Sequence, residues 1–237
     1  SHSEHIPLIA LEPAKIHVGC NGFAAPLNEP DPVPKNRYLS FVSGSSCIQT
    51  AHRVTFDSLP PPNDVLNGKT MWLGPPAARS EASGTTGPEP EPAVTVSYLQ
   101  CAPHYADFGE LDTVHAYHKG IIPNGVYTIQ ATKEGCPVED EGCYTSGLTL
   151  TTSMWGDVVG DCEGNACSAP NGVTDFRDIT ALVDKFKNVP GAVSKPRGDI
   201  GDEIPDGRVD FLDTGLAVHS FRGAGYPFVV PGAADCE

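Results

Sequence analysis

Apolar and polar residues alternate along short stretches of the chain between residues 36 and 154. In RYLSFV (37–42) Leu39 and Phe41 share one face, and in HRVTFDSL (52–59) Val54 and Phe56 do so. Such alternation predicts half-buried strands, because successive side chains of a strand point to opposite faces. Five further stretches have strand patterns: KTMWLG (69–74), TVSYLQC (95–101), TVHAYHKGI (113–121), VYTIQATKE (126–134) and TSGLTLTTS (145–153). We therefore expect seven short strands in this part of the chain.

The composition supports a mainly β fold for these strands. Among 237 residues there are 25 glycines and 23 prolines, and only 19% are charged, which favours short strands joined by turns. Seven such strands are typical of a β-sandwich. The segment GVYTIQATKEGCPVEDEGCYTSGLTLTT (125–152) also resembles the last hairpin of a fibronectin type III-like domain. We expect an immunoglobulin or fibronectin III-like β-sandwich over residues 36–154.

Three other segments lack this pattern. Residues 1–35 combine one or two short extended apolar stretches, IPLIALEPAKIHV (6–18), with a linker whose prolines favour polyproline II, APLNEPDPVPKN (25–36). ARSEASGTTGPEPEPA (78–93) predicts an exposed polar loop, since it has too few apolar residues to pack. Residues 229–237 form a C-terminal tail.

Helical patterns replace the strand patterns after residue 155. In DITALVDKFKN (178–188) and DTGLAVHSFRG (213–223) apolar residues recur at helical spacing. Each pattern opens on an aspartate, a favourable N-cap residue. We expect a small α-helical domain over residues 155–228.

This helical region contains an internal duplication. NGVTDFRDITALVDKFKN (171–188) and DGRVDFLDTGLAVHSFRG (206–223) align at a constant offset, and each is preceded by an acidic lead, GDVVGD (156–161) or GDIGDE (198–203). Calcium takes six to eight oxygen ligands, and a tight loop supplies them from alternating side chains and one backbone carbonyl. The duplication therefore predicts two calcium loops, each followed by a helix.

These units resemble the dockerin type I family, whose duplicated loop-helix units carry GDVNGDG-x-V-x-x-x-D. The resemblance covers roughly residues 156–223 and implies bound Ca²⁺. The ligands it implies in the first loop are Asp157, Asp161 or Asn171, the Val173 carbonyl, Asp175 and Asp178. The ligands it implies in the second loop are Asp199, Asp206 with Asp202 as an alternative, the Arg208 carbonyl, Asp210 and Asp213.

The loops depart from the family pattern in two ways. The third loop position is Val159 in one and Gly201 in the other, where the family has a carboxamide or carboxylate. Both loops also carry insertions, CEGNACSAP (162–170) and EIP (203–205). The first insertion leaves open whether Asp161 or Asn171 is the ligand.

The eight cysteines form an even set without the paired CxxC spacing of zinc ribbons, which predicts disulfides and an oxidising compartment. Cys162 with Cys167 is the most plausible pair, and Cys136 with either Cys143 or Cys101 is the next. The chain begins at Ser1 without a charged and apolar leader, as expected for an exported protein that has lost its signal peptide. We expect a secreted protein, extracellular or at the cell surface.

Charge and apolar content restrict the partners. Fifteen basic against thirty acidic residues give a net charge of −15, which repels nucleic acid. No apolar run approaches the roughly 20 residues that span a bilayer. His104 and Asp107 lack an accompanying nucleophile motif, and the dense aspartates are explained by the loops, so we expect no enzyme.

Two functions fit these observations. The first is an extracellular calcium-binding structural subunit that self-associates into filaments or adhesions, with the N-terminal apolar segment added as a strand to a neighbour. The second is a dockerin-type module that binds a cohesin-like receptor or a polysaccharide.

Overall fold

The computed structural model describes residues 33–44, 49–82, 93–164 and 166–229. Within these ranges the strands are β1 (Tyr38–Phe41), β2 (Thr50–Ser58), β3 (Thr70–Leu73), β4 (Ala77–Ser80), β5 (Ala93–Gln100), β6 (Val114–Tyr117), β7 (Val126–Lys133), β8 (Leu148–Thr151), β9 (Cys162–Glu163) and β10 (Ala166–Cys167). The α-helices are α1 (Phe176–Phe186), α2 (Lys195–Gly198) and α3 (Phe211–Phe221). Three 3₁₀ turns cover Asn63–Leu66, Phe108–Glu110 and Glu141–Cys143.

Strands β1 to β8 form one mixed sheet in the order β1-β6-β5-β3-β2-β7-β8, with β4 paired to β5. The described pairs are antiparallel except β5 with β6, which is parallel. The first part of β5 pairs with β4 and β6, whereas Leu99 and Gln100 at its end pair with Leu73 and Trp72 of β3. Strand β5 therefore joins two halves of the sheet. The predicted mainly β class is confirmed.

Both halves of the sheet bury apolar side chains in one core. On the central pair, Val54 of β2 lies opposite Ile129 of β7, and Phe56 lies opposite Tyr127. All four are fully buried, as the period-two pattern predicts. The same core receives side chains from β1, β3, β5, β6 and β8, including Leu39, Phe41, Leu73, Leu99, Val114 and Leu150.

One strand of the main sheet, β4, was missed by the sequence patterns. Residues 78–93 were expected to be an exposed loop, but Ala77–Ser80 forms β4 against β5. Backbone pairing with β5 holds this segment, so it needs few apolar side chains. Its last residue, Ser80, is buried, and the following Glu81 pairs with Lys185 of α1 at 2.5 Å.

Both long helices begin earlier than their apolar patterns indicate. The expected N-caps were Asp178 and Asp213, but the structure caps α1 with Asp175 and α3 with Asp210. The two expected caps instead occupy the third helical position and bond back to the cap amide, which completes a capping box. Both aspartates of each box are therefore needed at the helix start.

Two predicted disulfides are confirmed. Cys162 pairs with Cys167 across the short β9–β10 hairpin, which closes the insertion of the first loop. Cys136 pairs with Cys143 rather than with Cys101. In the described part of the chain no helix is both long and apolar enough to cross a membrane.

The sheet and the helical part are joined by buried hydrogen bonds of Asn36. Its amide nitrogen donates to the Ser153 hydroxyl and to the Asp157 carbonyl, both at 2.9 Å. Its amide oxygen accepts from the Gly156 amide at 2.8 Å. One side chain from the start of the sheet therefore holds the segment that begins the first duplicated loop.

Arg37 makes a second connection to the helical part. Its guanidinium is fully buried and donates to the carbonyls of Ile121, Asp202 and Glu203 at 3.0, 2.9 and 2.7 Å. The rings of Tyr226 and Phe228 lie 5.3 and 5.5 Å from the guanidinium carbon, within cation–π range. Arg37 therefore links the sheet, the second duplicated loop and the aromatic residues Tyr226 and Phe228.

We expect Arg37→Met to lower the free energy of unfolding by about 3 kcal/mol or more, because it leaves three carbonyls without their charged donor. Arg222→Met is the matched control, since Arg222 is exposed, and it should change stability by less than about 0.5 kcal/mol. Urea unfolding followed by fluorescence measures both. Equal effects of the two substitutions would show that the Arg37 contacts contribute little.

Candidate metal centre

The first residue of each predicted loop accepts hydrogen bonds from the glycine turn of the same loop. Asp157 Oδ2 accepts from the Gly172 amide at 2.6 Å, and Asp199 Oδ2 accepts from the Gly207 amide at 2.7 Å. Both glycines have positive φ, 85° and 77°, a conformation that favours glycine. The duplication seen in the sequence is therefore also a duplication of local geometry.

The last residue of each loop is held in an equivalent way. Asp178 Oδ1 accepts from the two amides that follow Asp157, at 2.7 and 2.8 Å, and its Oδ2 accepts from the Asp175 amide at 2.8 Å. Asp213 Oδ1 accepts from the two amides that follow Asp199, at 2.8 and 2.6 Å. Its Oδ2 accepts from the amide of the helix cap, Asp210, at 2.8 Å. Each carboxylate thus joins the start of its loop to the start of its helix.

The middle of the first loop contains Asn171. Its side-chain oxygen accepts from the Val173 amide at 3.0 Å, as Asp206 accepts from the Arg208 amide at 2.7 Å in the second loop. Asp161 instead has an exposed side chain and pairs with Arg177 at 3.2 Å. Of the two alternatives, Asn171 occupies the position equivalent to Asp206.

Asp202 lies beside the second loop. It has a positive φ of 59° and an exposed side chain, and its carbonyl accepts from Arg37. Partial burial, followed by the charges of Asp206 and Asp210, raises the pKa of Asp202. The charges of two predicted ligands of the second loop thus act on Asp202, and its role as an alternative ligand stays a prediction.

The predicted carbonyl ligands belong to Val173 and Arg208. Within the described ranges, no hydrogen bond reaches either carbonyl oxygen. Val173 is 57% exposed, and Arg208 is exposed as well. Both oxygens are therefore available to a ligand, as the calcium-loop hypothesis requires.

Asp175 and Asp210 cap the helices and complete the predicted ligand set. Asp175 Oδ1 accepts from the Arg177 amide and Asp210 Oδ1 accepts from the Leu212 amide, both at 2.7 Å. The second oxygen of Asp175 also pairs with the Arg177 guanidinium at 3.1 Å. The two loops thus differ here: within the described residues, an arginine pairs with the capping aspartate of the first loop, Asp175, but not with that of the second, Asp210.

Four of the loop carboxylates are buried, and the positive charges of Arg197 and Lys195 act on two of them, Asp157 and Asp199. Asp157, Asp178, Asp199 and Asp213 are at most 3% exposed, and no ion pair to them occurs within the described residues. Burial raises the pKa of Asp213 to about 7 and that of Asp157 to about 6. It raises the pKa of Asp178 and of Asp199 as well. Buried charge of this kind is costly unless a cation or hydrogen bonds compensate it.

The donor set fits a hard cation. Each loop offers carboxylate, side-chain amide or backbone carbonyl oxygens and neither thiolate nor imidazole, which suits Ca²⁺ rather than Zn²⁺ or copper. Asp178 and Asp213 each use three of about four lone-pair positions on backbone amides, so each retains acceptor capacity. No three His, Cys, Asp or Glu side chains of the described residues already converge as a formed metal centre.

The second loop is attached to the sheet by a residue that sequence patterns did not indicate. Tyr38 of β1 donates its hydroxyl to Asp199 Oδ2 at 2.5 Å, and both side chains are buried. Arg79 of β4 donates to the Asp206 carbonyl at 3.2 Å. Alternation alone places Tyr38 on the face opposite to Leu39 and gives no sign of its distant carboxylate partner.

Comparison with known proteins adds no assignment. The chain matches no protein-family model, and no curated protein or solved structure matches it either.

The raised pKa values predict a pH dependence of stability in chelator. A carboxyl group whose pKa is higher in the folded than in the unfolded state favours folding when protonated, so stability is greatest at low pH and falls as pH rises through the folded pKa. We expect the protein with excess chelator to be less stable at about pH 8 than at about pH 5, measured by urea unfolding. Asp213→Asn should flatten this dependence. Stability that rises over the same interval would contradict the burial of these groups.

Proposed function

We propose that this chain is a secreted calcium-binding structural protein in which two dockerin-like loops brace the helical part against a β-sandwich. The observation that carries the proposal is the repeated arrangement of buried aspartates, with Asp157 and Asp178 in one loop and Asp199 and Asp213 in the other. Two calcium ions would add positive charge beside these four groups, none of which forms an ion pair among the described residues. The proposal includes no catalytic activity.

Each loop offers Ca²⁺ an equivalent set of oxygens. The first set is Asp157, Asn171, the Val173 carbonyl, Asp175 and Asp178. The second set is Asp199, Asp206, the Arg208 carbonyl, Asp210 and Asp213. Five protein ligands with water at the remaining positions suit Ca²⁺, which accepts six to eight oxygens in flexible geometry, better than Mg²⁺, which requires a near-ideal octahedron.

A structural role follows from the contacts between the loops and the sheet. Asp199 accepts from Tyr38 of β1, and the carbonyls of Asp202 and Glu203 accept from Arg37. An ion in the second loop would fix the same carboxylate that Tyr38 binds. Calcium sites outside cells have dissociation constants of order 10⁻⁴ to 10⁻³ M, which suits a permanently occupied brace.

Secretion is supported by the disulfides. Cys136–Cys143 and Cys162–Cys167 are formed in the described part of the chain, and disulfides persist in oxidising compartments. Extracellular calcium is abundant enough for weak sites. The disulfides and the loops therefore agree on the same location.

Self-association by strand addition is the second part of the proposal. Strands at the end of a sheet expose backbone groups that pair with another chain. Among the described strands, β1 and β8 lie at the two ends of the main sheet order. The apolar donor segment, residues 6–18, lies outside the described residues.

A docking module is the alternative function, and exposed aromatic residues favour it. Phe176 and Phe211 are 69% and 76% exposed at the starts of α1 and α3. Each stacks on the end of the other helix, Phe176 on Phe221 at 4.9 Å and Phe211 on Phe186 at 4.5 Å. Such a duplicated face suits a cohesin-like receptor. A polysaccharide platform has less support, because both tryptophans, Trp72 and Trp155, are buried.

The two functions differ in whether they require the exposed rings of Phe176 and Phe211. Phe176→Ala together with Phe211→Ala should abolish capture by an immobilised cohesin-like receptor if the chain is a docking module. The same double variant should leave calcium-dependent stability unchanged under either function. Retained self-association of this variant supports the structural subunit.

We expect calcium to stabilise the protein through both loops. At about 5 mM calcium each site should contribute about 1–2 kcal/mol, given the affinity range of extracellular sites. Asp157→Ala and Asp199→Ala should each remove most of one contribution, seen as a smaller difference between melting curves in calcium and in chelator. Asp140→Ala is the control, because Asp140 caps a 3₁₀ turn outside the loops by accepting from Gly142 at 2.9 Å. An equal calcium response in all three variants would contradict the ligand assignment.

We expect the protein to form larger species in calcium than in excess chelator, because calcium fixes the helical part on the sheet that associates. Multi-angle light scattering at several protein concentrations measures this. A monomer under both conditions that is still stabilised by calcium would exclude the assembly function and favour the docking module.

A further inference from the structure

The short helix α2 connects the two loops. It lies between α1 and the second loop in the chain, and the Asp199 amide, which follows it directly, donates to the Lys195 carbonyl at 2.8 Å. A Cβ atom on Gly198, the last residue of α2, would lie 3.1 Å from Leu182 of α1 and 3.2 Å from Val209 of the second loop. The backbone of α2 therefore packs closely on both neighbours.

Arg197 of α2 reaches back to the first loop. Its Nε donates to the Val158 carbonyl at 2.5 Å, and its guanidinium also donates to the Ser168 carbonyl. Val158 comes before the insertion CEGNACSAP (162–170), and Ser168 lies near the end of this insertion. The planar guanidinium holds several donors in one fixed geometry, which suits two carbonyls at once. Arg197 therefore joins the two ends of the insertion.

The peptide group between Val158 and Val159 joins Arg197 to a predicted calcium ligand. Its carbonyl accepts from Arg197 Nε, and its amide donates to Asp178 Oδ1 at 2.8 Å. Hydrogen bonds on both sides of a peptide group fix its orientation and polarise one another. Arg197 thus holds an amide that positions the last carboxylate of the first loop.

The two loops are supported from different sides. Arg37, next to β1, donates to the carbonyls of Asp202 and Glu203 in the second loop. Arg197 supports the first loop in a similar way, but it belongs to the helix that leads into the second loop. The second loop is thus tied to the sheet, and the first loop is tied to the second.

The order of α2 depends on its anchors. It has four residues, and a helix of this length is not stable alone in water. At its start, the Lys195 amide donates to both carboxylate oxygens of Glu81, at 3.1 and 3.3 Å. At its end lies Asp199, whose carboxylate accepts from Tyr38 and from the Gly207 amide. A change at Asp199 therefore acts directly on the end of α2.

We propose that Arg197 is a positioning residue that couples the two loops through α2. The proposal rests on the calcium-binding function proposed above. Occupation of the second loop would hold Asp199, and with it α2, Arg197 and the peptide group after Val158. The first loop would then bind its ion with less ordering still to be done, so each site raises the affinity of the other. Couplings of this kind are typically about 5- to 150-fold and are reciprocal.

Charge alone predicts the opposite effect of Arg197. Burial raises the pKa of Asp157 to about 6, and the positive charge of Arg197 opposes this rise. A positive charge near the first loop repels a cation, so an arginine that acted only through its charge would weaken calcium binding there. The sign of the change in calcium affinity after replacement of Arg197 therefore separates the two roles.

The first measurement is amide hydrogen exchange by NMR on the full chain in excess chelator. We expect Arg197→Met to accelerate exchange of the Val159 amide by on the order of tenfold, as for one lost hydrogen bond. The equivalent amide of the second loop, that of Gly201, donates to Asp213 at 2.6 Å and should keep its rate. Arg222→Met is the control and should change neither rate. Equal acceleration of both amides by Arg197→Met would mean a general loss of stability and would overturn the positioning role.

The second measurement is a calcium titration followed by NMR at one amide of each loop. The Gly172 amide reports the first loop, because it donates to Asp157, and the Gly207 amide reports the second, because it donates to Asp199. Asp199→Ala should raise the calcium concentration at the Gly172 midpoint by about fivefold or more. In a chain that also carries Arg197→Met, Asp199→Ala should leave this midpoint unchanged.

The remaining outcomes also decide the proposal. Arg197→Met alone should weaken binding at the first loop, and a tighter first loop would assign Arg197 a charge effect only and overturn the proposal. An equal shift of the Gly172 midpoint with and without Arg197 would overturn coupling through this residue, whereas the Arg222→Met chain should keep the shift. If Asp199→Ala does not fold, Asp199→Asn replaces it, since its amide oxygen can still accept hydrogen bonds.

Failure of the calcium proposal gives a different result. If neither glycine amide responds to millimolar calcium, the calcium-binding function fails, and the coupling fails with it. The exchange rates in chelator still show whether Arg197 positions the first loop, because that measurement needs no calcium.

Discussion

Buried aspartates held by backbone amides organise the C-terminal part of this protein. Asp178 and Asp213 each accept from two amides at the start of a loop and one amide at the start of a helix. These bonds position the loops without a cation but leave negative charge in a buried environment. In the function that we propose, a bound cation would offset this buried negative charge.

Buried hydrogen bonds attach the same loops to the β-sheet. Three consecutive residues at the start of the sheet, Asn36, Arg37 and Tyr38, direct buried polar groups at both loop segments. Side-chain hydrogen bonds at a buried boundary are costly to break, because each partner is left unsatisfied. Movement of the helical part away from the sheet would therefore break several such bonds at once, which suits a rigid structural unit.

Local patterns in the sequence predicted the features that depend on local chemistry. Period-two alternation identified the buried faces of β2 and β7, and the duplicated acidic motif identified two equivalent loops. The helix starts were displaced by one turn because Asp175 and Asp178 are both good caps, and only the folded loop shows which one takes the cap position. Strand β4 depends on pairing with β5, a contact that the composition of its own residues does not indicate.

The contacts of Arg37 and Tyr38 were beyond sequence patterns for a different reason. Tyr38 and Asp199 are separated by 161 residues and meet only after both parts have folded. The partners of Arg37 are backbone carbonyls, which every residue carries. No residue type in the sequence therefore marks where those partners lie. The duplicated acidic loops were thus predictable as local units, whereas their attachment to the sheet was not.

Calcium stoichiometry tests the central claim most directly. Isothermal titration of the chelator-treated protein with calcium, checked by native mass spectrometry, counts the bound ions. The account predicts two ions per chain, with one lost in a variant of either loop. Absence of calcium binding at millimolar concentrations, or two ions that remain bound after both Asp157 and Asp199 are replaced by alanine, would contradict it.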